Sequence, residues 1–382
     1  MLPQRLEERR AWLRRGFAAA VEHALREKAH LFLQAGDLFD APEPRNVERQ
    51  FVAQALAELR AAGVRCLGIS GNHDTPRVRG GGGSASPQAT YAPLGGLRLL
   101  GDGASGRVGE WGSGGVGDVD MEILDIDGVR VAVGGMAPDP TAVPGSDPLE
   151  GLAWRPDAGI SLLLVHGSLQ GHIYPGAPEP IIRRETVERL GADCLFVGHV
   201  HTFAALRWGT TSVVVPGATE RMTFGELAAR PGFAYLEMEP GRAPEIRHVP
   251  GKSQPRRQLT ILSSELATGD PAEAVKARLE AVCDHDAMVR LSMEGPITRQ
   301  RYHDLRLREV AEFGATRCFF LDLDTSGLYV DDDLPRAAAR SGRLSPREEL
   351  LRFGEEARES AATVEEQGLT DEAMQAILSE YE

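Results

Sequence analysis

Leu31-Phe32-Leu33-Gln34-Ala35-Gly36-Asp37 is a short apolar run that closes on a glycine and a carboxylate. Upstream of it, Leu6, Leu13, Phe17, Val21 and Leu25 recur at helical spacing between charged residues. Downstream, Val47, Phe51, Ala55 and Leu59 keep the same period, Gly63 ends that helix, and Val64–Ile69 reads as a strand. Helix, strand, helix, strand is the rhythm of an α/β domain, which places its chemistry in the polar loops at its strand ends.

The pattern continues outward. A Gly- and Ser-rich stretch, Arg77–Gly117, precedes alternating strands at Met121–Ile126 and Val129–Val133. Strands at Leu162–Val165 and Leu195–Val197 flank a helix over Arg183–Leu190, and further strands follow at Ala204–Trp208, Ser212–Val215 and Phe233–Met238. After Pro240 the texture changes to a compact βαβαβ module: strand Gln258–Leu262, helix Ala272–Val282, strand Met288–Met293, helix Thr298–Phe313, strand Arg317–Leu323. Two amphipathic segments, Pro346–Ser360 and Asp371–Tyr381, close the chain. The expected division is a main domain over 1–240, a small α/β module over 241–330 and an acidic helical tail over 331–382.

Composition excludes several classes of function. The 382 residues carry a formal charge of −14, and 16 of the 56 acidic side chains lie in residues 318–382 against 6 of the 42 basic ones. A protein that coats nucleic acid by bulk charge is excluded; one that holds phosphates locally is not. No apolar run reaches the ~18 residues of a membrane span, and Glu22 and His23 interrupt the N-terminal apolar stretch, so no secretory leader is expected. The four cysteines, Cys66, Cys194, Cys283 and Cys318, form no CxxC pair, which predicts no disulfide framework and fits a cytoplasmic protein.

Five loops concentrate the chemistry: Gly36-Asp37-Leu38-Phe39-Asp40, Gly71-Asn72-His73-Asp74, Val165-His166-Gly167, Gly198-His199-Val200-His201 and Pro216-Gly217-Ala218-Thr219-Glu220-Arg221. The first four each follow an expected strand and set a carboxylate, amide or imidazole beside a glycine. They offer oxygen and nitrogen donors and no thiolate, a set suited to Mn²⁺, Fe²⁺ or Zn²⁺ rather than to a structural zinc. In extended chain, residues i and i+2 share a face, so His199 and His201 can reach one site. Two ions about 3.5–4 Å apart would activate a water and clamp a phosphoryl group. Taken singly, each loop also reads as an ordinary turn or a structural histidine; their joint occurrence in this order points to a metal site.

GDLFD, GNHD, VHGS, GHVH and PGATER resemble the ordered motifs of calcineurin-like metallophosphoesterases, most closely the DNA repair exonuclease branch that includes the nuclease subunit of the SbcCD complex. The resemblance covers residues 1 to about 240 and implies an α/β/β/α sandwich followed by a small capping domain and C-terminal helices. It makes Asp37 the carboxylate bridging two divalent ions, Mn²⁺ above all. Asn72, His166 and His199 complete one ion's shell, and His201 serves the other. His73 stabilises the transition state or protonates the leaving 3′-oxygen, with Asp40 orienting it; an imidazole suits the task because its ordinary pKa of about 6.5 lies near working pH.

The implied activity is metal-dependent exo- and endonucleolytic cleavage of DNA in repair. The implied partners are DNA, a second copy of the chain in a homodimer, and an SMC-like ATPase docked on the tail helices. Arg256, Arg257, Arg278, Arg290, Arg299, Arg301, Arg306 and Arg308 are candidate phosphate contacts in the middle module. Members of the family open on a strand ending in Asp-x-His, which this sequence lacks; its first helix resembles the helix that follows that strand, so about 20 preceding residues are expected. Two other readings stand beside the nuclease: a phosphoesterase of nucleotides or small phosphodiesters, and a catalytically weak subunit that binds DNA or a partner.

Overall fold

A computed structural model describes residues 3–75, 86–101, 119–173 and 179–331, and Met374. The Gly80–Gly83 run and the two tail helices read from the sequence lie outside the described residues, Met374 excepted.

Helix α1 (Pro3–Arg26) leads into β1 (Leu31–Ala35), α2 (Asn46–Ala61) and β2 (Arg65–Ile69), as the apolar spacing predicts. Gly63 follows α2 at φ +84°, in the left-handed region that ends helices. A short β3 (Arg98–Leu99) completes a three-stranded sheet in the order β1-β2-β3, with β1 and β2 parallel and Leu31–Ala35 in register with Arg65–Ile69.

The second sheet is built from β4 (Asp120–Ile126), β5 (Val129–Met136), β6 (Ile160–His166), β9 (Cys194–Gly198), β10 (Ala204–Trp208) and β11 (Thr211–Val215), in the order β10-β11-β9-β6-β5-β4. Between β6 and β9 run a two-residue pair, β7 (Ser168–Leu169) and β8 (Ile181–Ile182), and helix α3 (Arg184–Leu190). The centre of this sheet is parallel, and every residue of β6 and β9 is buried, which is why they read as continuous apolar runs.

Alternation assigns each side chain to a layer. Leu31, Leu33, Leu67 and Ile69 of the first sheet pack with Val131, Val133, Leu162, Leu164, Cys194 and Phe196 of the second, so the inner faces of the two sheets share one core. The outer face of the first sheet, with Phe32, Cys66 and Leu99, is covered by Val21 and Ala24 of α1 and Val52, Leu56 and Leu59 of α2. The outer face of the second, with Leu163, Val165, Leu195 and Val197, is covered by Val187 and Leu190 of α3 together with Leu149 and Trp154. The order of layers is α/β/β/α, as expected. Each fully buried leucine contributes roughly 1.5–3 kcal/mol.

An antiparallel hairpin, β12 (Gly232–Glu237) and β13 (Glu245–Pro250), follows. The 240/241 boundary drawn from composition falls in its turn, beside Gly241 at φ +73°. The chain divides into two compact units: the first holds Met1–Leu259, Leu279–Leu291 and Phe313–Leu323; the second holds Thr260–Arg278, Ser292–Glu312 and the chain from Asp324. The last sheet has the order β14 (Arg256–Leu262), β15 (Met288–Ile297), β16 (Phe320–Val330), with α4 (Pro271–Glu280), α5 (Arg299–Asp304) and α6 (Leu307–Ala315) in its connections. The single helix expected over Thr298–Phe313 is two, because Arg306 takes φ +42° and breaks the ladder while the apolar period runs on across it.

The expectation about cysteines needs correction. Cys66 and Cys194 are buried free thiols, but Cys283 and Cys318, 35 residues apart, are joined in a disulfide across a Cα–Cα distance of 5.0 Å. No local spacing signals that pair; the fold of the first unit brings it together. No helix among the described residues is long and apolar enough to cross a membrane.

The PGATER segment is a buried latch. Arg9 of α1, 8% exposed, lies 3.5 Å from the Glu220 carboxylate, itself 2% exposed, and donates to Gln254 Oε1 at 3.0 Å and to the Arg221 carbonyl. Glu220 also accepts from the backbone N–H groups of Arg221 (2.8 Å) and Gln254 (2.9 Å). Removing one partner of a buried pair leaves the other charge without compensation. Arg9→Ala is therefore expected to cost about 3 kcal/mol of stability, read as a lower urea midpoint with an unchanged slope; a midpoint equal to the parent's would show that the latch contributes nothing.

Candidate metal centre

The loops after β1, β2, β6 and β9 meet at the same end of the two sheets. Gly71 and Gly198 make that approach feasible. A Cβ on Gly71 would sit 2.1 Å from Asp37 Oδ1, and one on Gly198 would sit 1.8 Å from the Ala35 carbonyl oxygen. The backbone is bent hard there: Asp37 and His199 hold φ of +54° and +89° without being glycines, a conformation that the surrounding structure must enforce.

Among the described residues, Asp37, His166 and His199 form a group whose donor atoms all lie within 4.8 Å of one another. Asn72 joins them: its Oδ1 is 2.9 Å from His166 Nε2 and 3.0 Å from His199 Nδ1. His166 Nε2 is also 3.2 Å from Asp37 Oδ2. Neighbouring donors on an octahedral ion held at about 2.1 Å lie about 3 Å apart, so these separations suit one shared cation. The donor chemistry agrees. His166 Nδ1 meets the Ala35 carbonyl at 2.8 Å, and a carbonyl only accepts, so Nδ1 carries a proton and Nε2 faces the oxygens of Asn72 and Asp37. An oxygen-and-nitrogen cradle of this kind fits a divalent ion.

The electrostatics are those of a site that holds charge in a partly dry place. Burial works against ionising Asp37, but the His166 imidazole and the His73 backbone N–H, 2.9 Å from Oδ1, hold its carboxyl below the usual range. Burial likewise works against charging His166, and the bonded Asp37 carboxylate overrides it, raising that imidazole. His199 goes the other way, lowered by burial and by its neighbour His166.

The other expected residues stand around this cluster. His73 Nδ1 is 3.2 Å from Asp40 Oδ1, both side chains at least half exposed. His201 is not part of the four-residue group; its Nδ1 lies 3.2 Å from Glu226 Oε1. Burial opposes the ionisation of Glu226, yet the bonds from His201 and the Met222 backbone N–H hold it at about 2.

Three residues escaped the sequence reading. Glu179 lies 3.0 Å from His199 Nε2, and Glu226 comes from the short helical turn Phe224–Glu226. Asp74 is fully buried beneath the site, where it accepts from the backbone N–H groups of Gly71 (2.6 Å) and Phe39 (3.3 Å) and from the Gln88 amide, so it ties the GDLFD loop to the GNHD loop. Burial raises its pKa. Only Asp74 had a sequence signal, its place in GNHD.

Most of the candidate arginines have partners within their own unit. Arg256 donates to the carbonyls of Arg221 and Met222, Arg257 pairs with Asp284, and Arg290 with Asp322. In the second unit Arg278 pairs with Glu265, Arg306 with Asp270, and Arg308 with Glu312, while Arg301 donates to the carbonyls of Leu266 and Gly269. Arg256 apart, these side chains tie the module to itself.

Residues 10–203 match the calcineurin-like phosphoesterase family, and the chain belongs to that family. Among curated proteins it is similar to the DNA double-strand break repair protein Mre11 of Aeropyrum pernix, with 27% identity over 267 residues, 68% of this chain. The chain spans 60% of that relative's length. A solved structure of a hypothetical protein from Thermus thermophilus aligns with 18% identity and a TM-score of 0.34, covering 62% of this chain and 95% of that one. The family resemblance read from the five motifs is thereby borne out.

Proposed function

We propose that this chain is a metal-dependent phosphodiesterase that cleaves DNA in repair. The observation that carries the reading is the convergence of Asp37, Asn72, His166 and His199 at about one cation's spacing, with the His73–Asp40 pair beside it. Similarity to an Mre11 protein supports DNA as substrate.

In this reading Asp37, Asn72, His166 and His199 hold one divalent ion, and Asp37 with His201 serves a second, with Mn²⁺ the expected metal. Such ions supply Lewis-acid charge to the phosphoryl group and make water a better nucleophile. The protein's own contribution is positional and acid–base. Asp40 fixes the His73 ring through Nδ1. The opposite edge of that ring would face the substrate and deliver a proton to the 3′-oxygen as the P–O bond breaks, while water's oxygen bonds to phosphorus and gives up its proton to solvent. The middle module acts as a cap that positions DNA, the chain works as a homodimer, and the tail over 331–382 docks an SMC-like ATPase.

One observation favours a narrower substrate. The arginines of the middle module are spent on internal partners, which leaves less cationic surface for a long polyanion than the sequence suggests and suits a nucleotide or small phosphodiester. Linear duplex DNA and bis(p-nitrophenyl) phosphate, each with Mn²⁺, separate the readings. Cleavage of both supports the nuclease. Turnover of the small ester alone favours the narrower enzyme, and turnover of neither, with Mn²⁺ bound, removes the phosphodiesterase reading.

A further inference from the structure

Cys283 and Cys318 are joined across 35 positions, with Cα atoms 5.0 Å apart. Cys283 stands in the turn after α4, and Cys318 stands just ahead of β16. Both belong to the first unit, in its stretches Leu279–Leu291 and Phe313–Leu323. The loop that the bond closes, 284–317, carries β15, α5 and α6 and includes the run Ser292–Glu312 of the second unit. The bond thus sits where β15 and β16 both begin. There Phe319 N donates to the Ala287 carbonyl and Met288 N to the Pro255 carbonyl, each at 2.9 Å.

The two sulfurs differ in access. Cys318 is 1% exposed, whereas Cys283 is only half-buried. Disulfide exchange needs a thiolate to reach a sulfur from outside, and Cys283 offers that approach. The chain's other thiols are poor attackers. Cys66 and Cys194 are buried, and burial pushes Cys66 up to about 12 and raises Cys194 as well. The attacking thiol therefore comes from solution.

The backbones around the bond are held by other means. Cys283 N donates to the Leu279 carbonyl at 2.8 Å, and Cys318 N to the Gly314 carbonyl at 2.9 Å. Arg317, next to Cys318, donates to Glu280 at 2.8 Å. Arg257 brackets Cys283, donating to the Val282 carbonyl and pairing with Asp284 at 2.6 Å. These bonds keep the two sulfurs near each other once the link is cut, so it can close again.

We propose that Cys283–Cys318 is a reversible clasp, a modification site for low-molecular-weight thiols that opens by attack at Cys283 and loosens the starts of β15 and β16. An external thiolate bonds to Cys283 Sγ, the link to Cys318 breaks, and Cys318 Sγ leaves as a thiolate that takes a proton from water. A second external thiolate attacks the external sulfur of the mixed disulfide and releases Cys283 Sγ, which is protonated in turn. The two external thiols are oxidised to their disulfide, and the protein gains two electrons and two protons. Closing runs the other way: the Cys283 thiolate attacks a small disulfide, and Cys318 displaces the remaining small thiol. The metal centre takes no part.

The test equilibrates the full chain with glutathione and glutathione disulfide at varied ratio, followed by alkylation without denaturant and mass spectrometry. The parent is expected to pass between crosslinked and dithiol forms as the ratio changes, with Cys66 and Cys194 unreacted. Cys318→Ser should accumulate glutathione on Cys283, while Cys283→Ser, whose remaining sulfur is buried, should stay largely unmodified. On reduction of the parent, hydrogen exchange at the Met288 and Phe319 amides should quicken by about 10-fold or more. The His73 amide, bonded to Asp37, should keep its rate. A parent that stays crosslinked at every ratio makes the bond a permanent one and overturns the proposal, as does a parent that never forms it. Equal thiolation of the two variants overturns attack at Cys283, and unchanged exchange at Met288 and Phe319 overturns the loosening. The titration and the exchange use only the parent chain, so a variant that fails to fold leaves both decisive.

Discussion

Replacing Asp37 with alanine will abolish divalent-cation binding, and with it turnover. Asp37 is the only carboxylate in the four-residue cluster, and it supplies the negative charge that two imidazoles and an amide do not. It does more than donate an oxygen. Its Oδ1 accepts the His73 backbone N–H at 2.9 Å, so it also sets the loop that presents His73 and Asn72. Losing an outer partner of a ligand typically costs 10–100-fold in metal affinity; losing this ligand should cost more. Calorimetric titration of Mn²⁺ into Asp37→Ala and the parent decides the matter. Parent-like affinity in the variant would show that the ion, if bound, sits elsewhere.

His73→Gln should separate the two roles that Asp37 combines. The His73 side chain contributes no atom to the cluster and contacts Asp40, so metal affinity should stay within a few-fold of the parent. Turnover of DNA should fall by about 10²–10⁴-fold, the usual worth of general acid–base catalysis. The size of the loss should follow the leaving group. A 3′-alkoxide needs a proton as it departs; a p-nitrophenolate does not. The defect on bis(p-nitrophenyl) phosphate should therefore be much the smaller. Equal losses on both substrates would mean that His73 stabilises charge on the phosphoryl group and transfers no proton.

The two-sheet core was readable because its signals are local. The runs around Leu31, Leu67, Leu163 and Leu195 have the length and composition of buried strands, and the helices α1, α2 and α3 carry their buried apolar residues at helical spacing. Strand β13 was missed because Glu245–Pro250 has little apolar content; its place comes from pairing with β12. The break at Arg306 was missed because a backbone torsion leaves no trace in hydrophobic periodicity. Within the site, Asp37, Asn72, His166 and His199 each sit beside a glycine at a strand end. Glu179 sits in an irregular segment and Glu226 in a single helical turn, and both acquire meaning only through histidines that the fold brings to them. The arginines of the middle module show the converse. Their charge was visible, but the acidic side chains and carbonyls that occupy them were not.

The hydrogen bond from His166 Nδ1 to the Ala35 carbonyl spans 131 positions in the chain and joins the end of a strand in one sheet to the end of a strand in the other. Neither sheet contains the cluster alone. Contacts of such sequence separation form late, after the entropy of closing long loops has been overcome. A refolding chain should therefore acquire helix and sheet signals before it can retain an ion. Cation uptake would then mark the final docking of the two halves, and excess Mn²⁺ would slow their separation more than it speeds their first collapse.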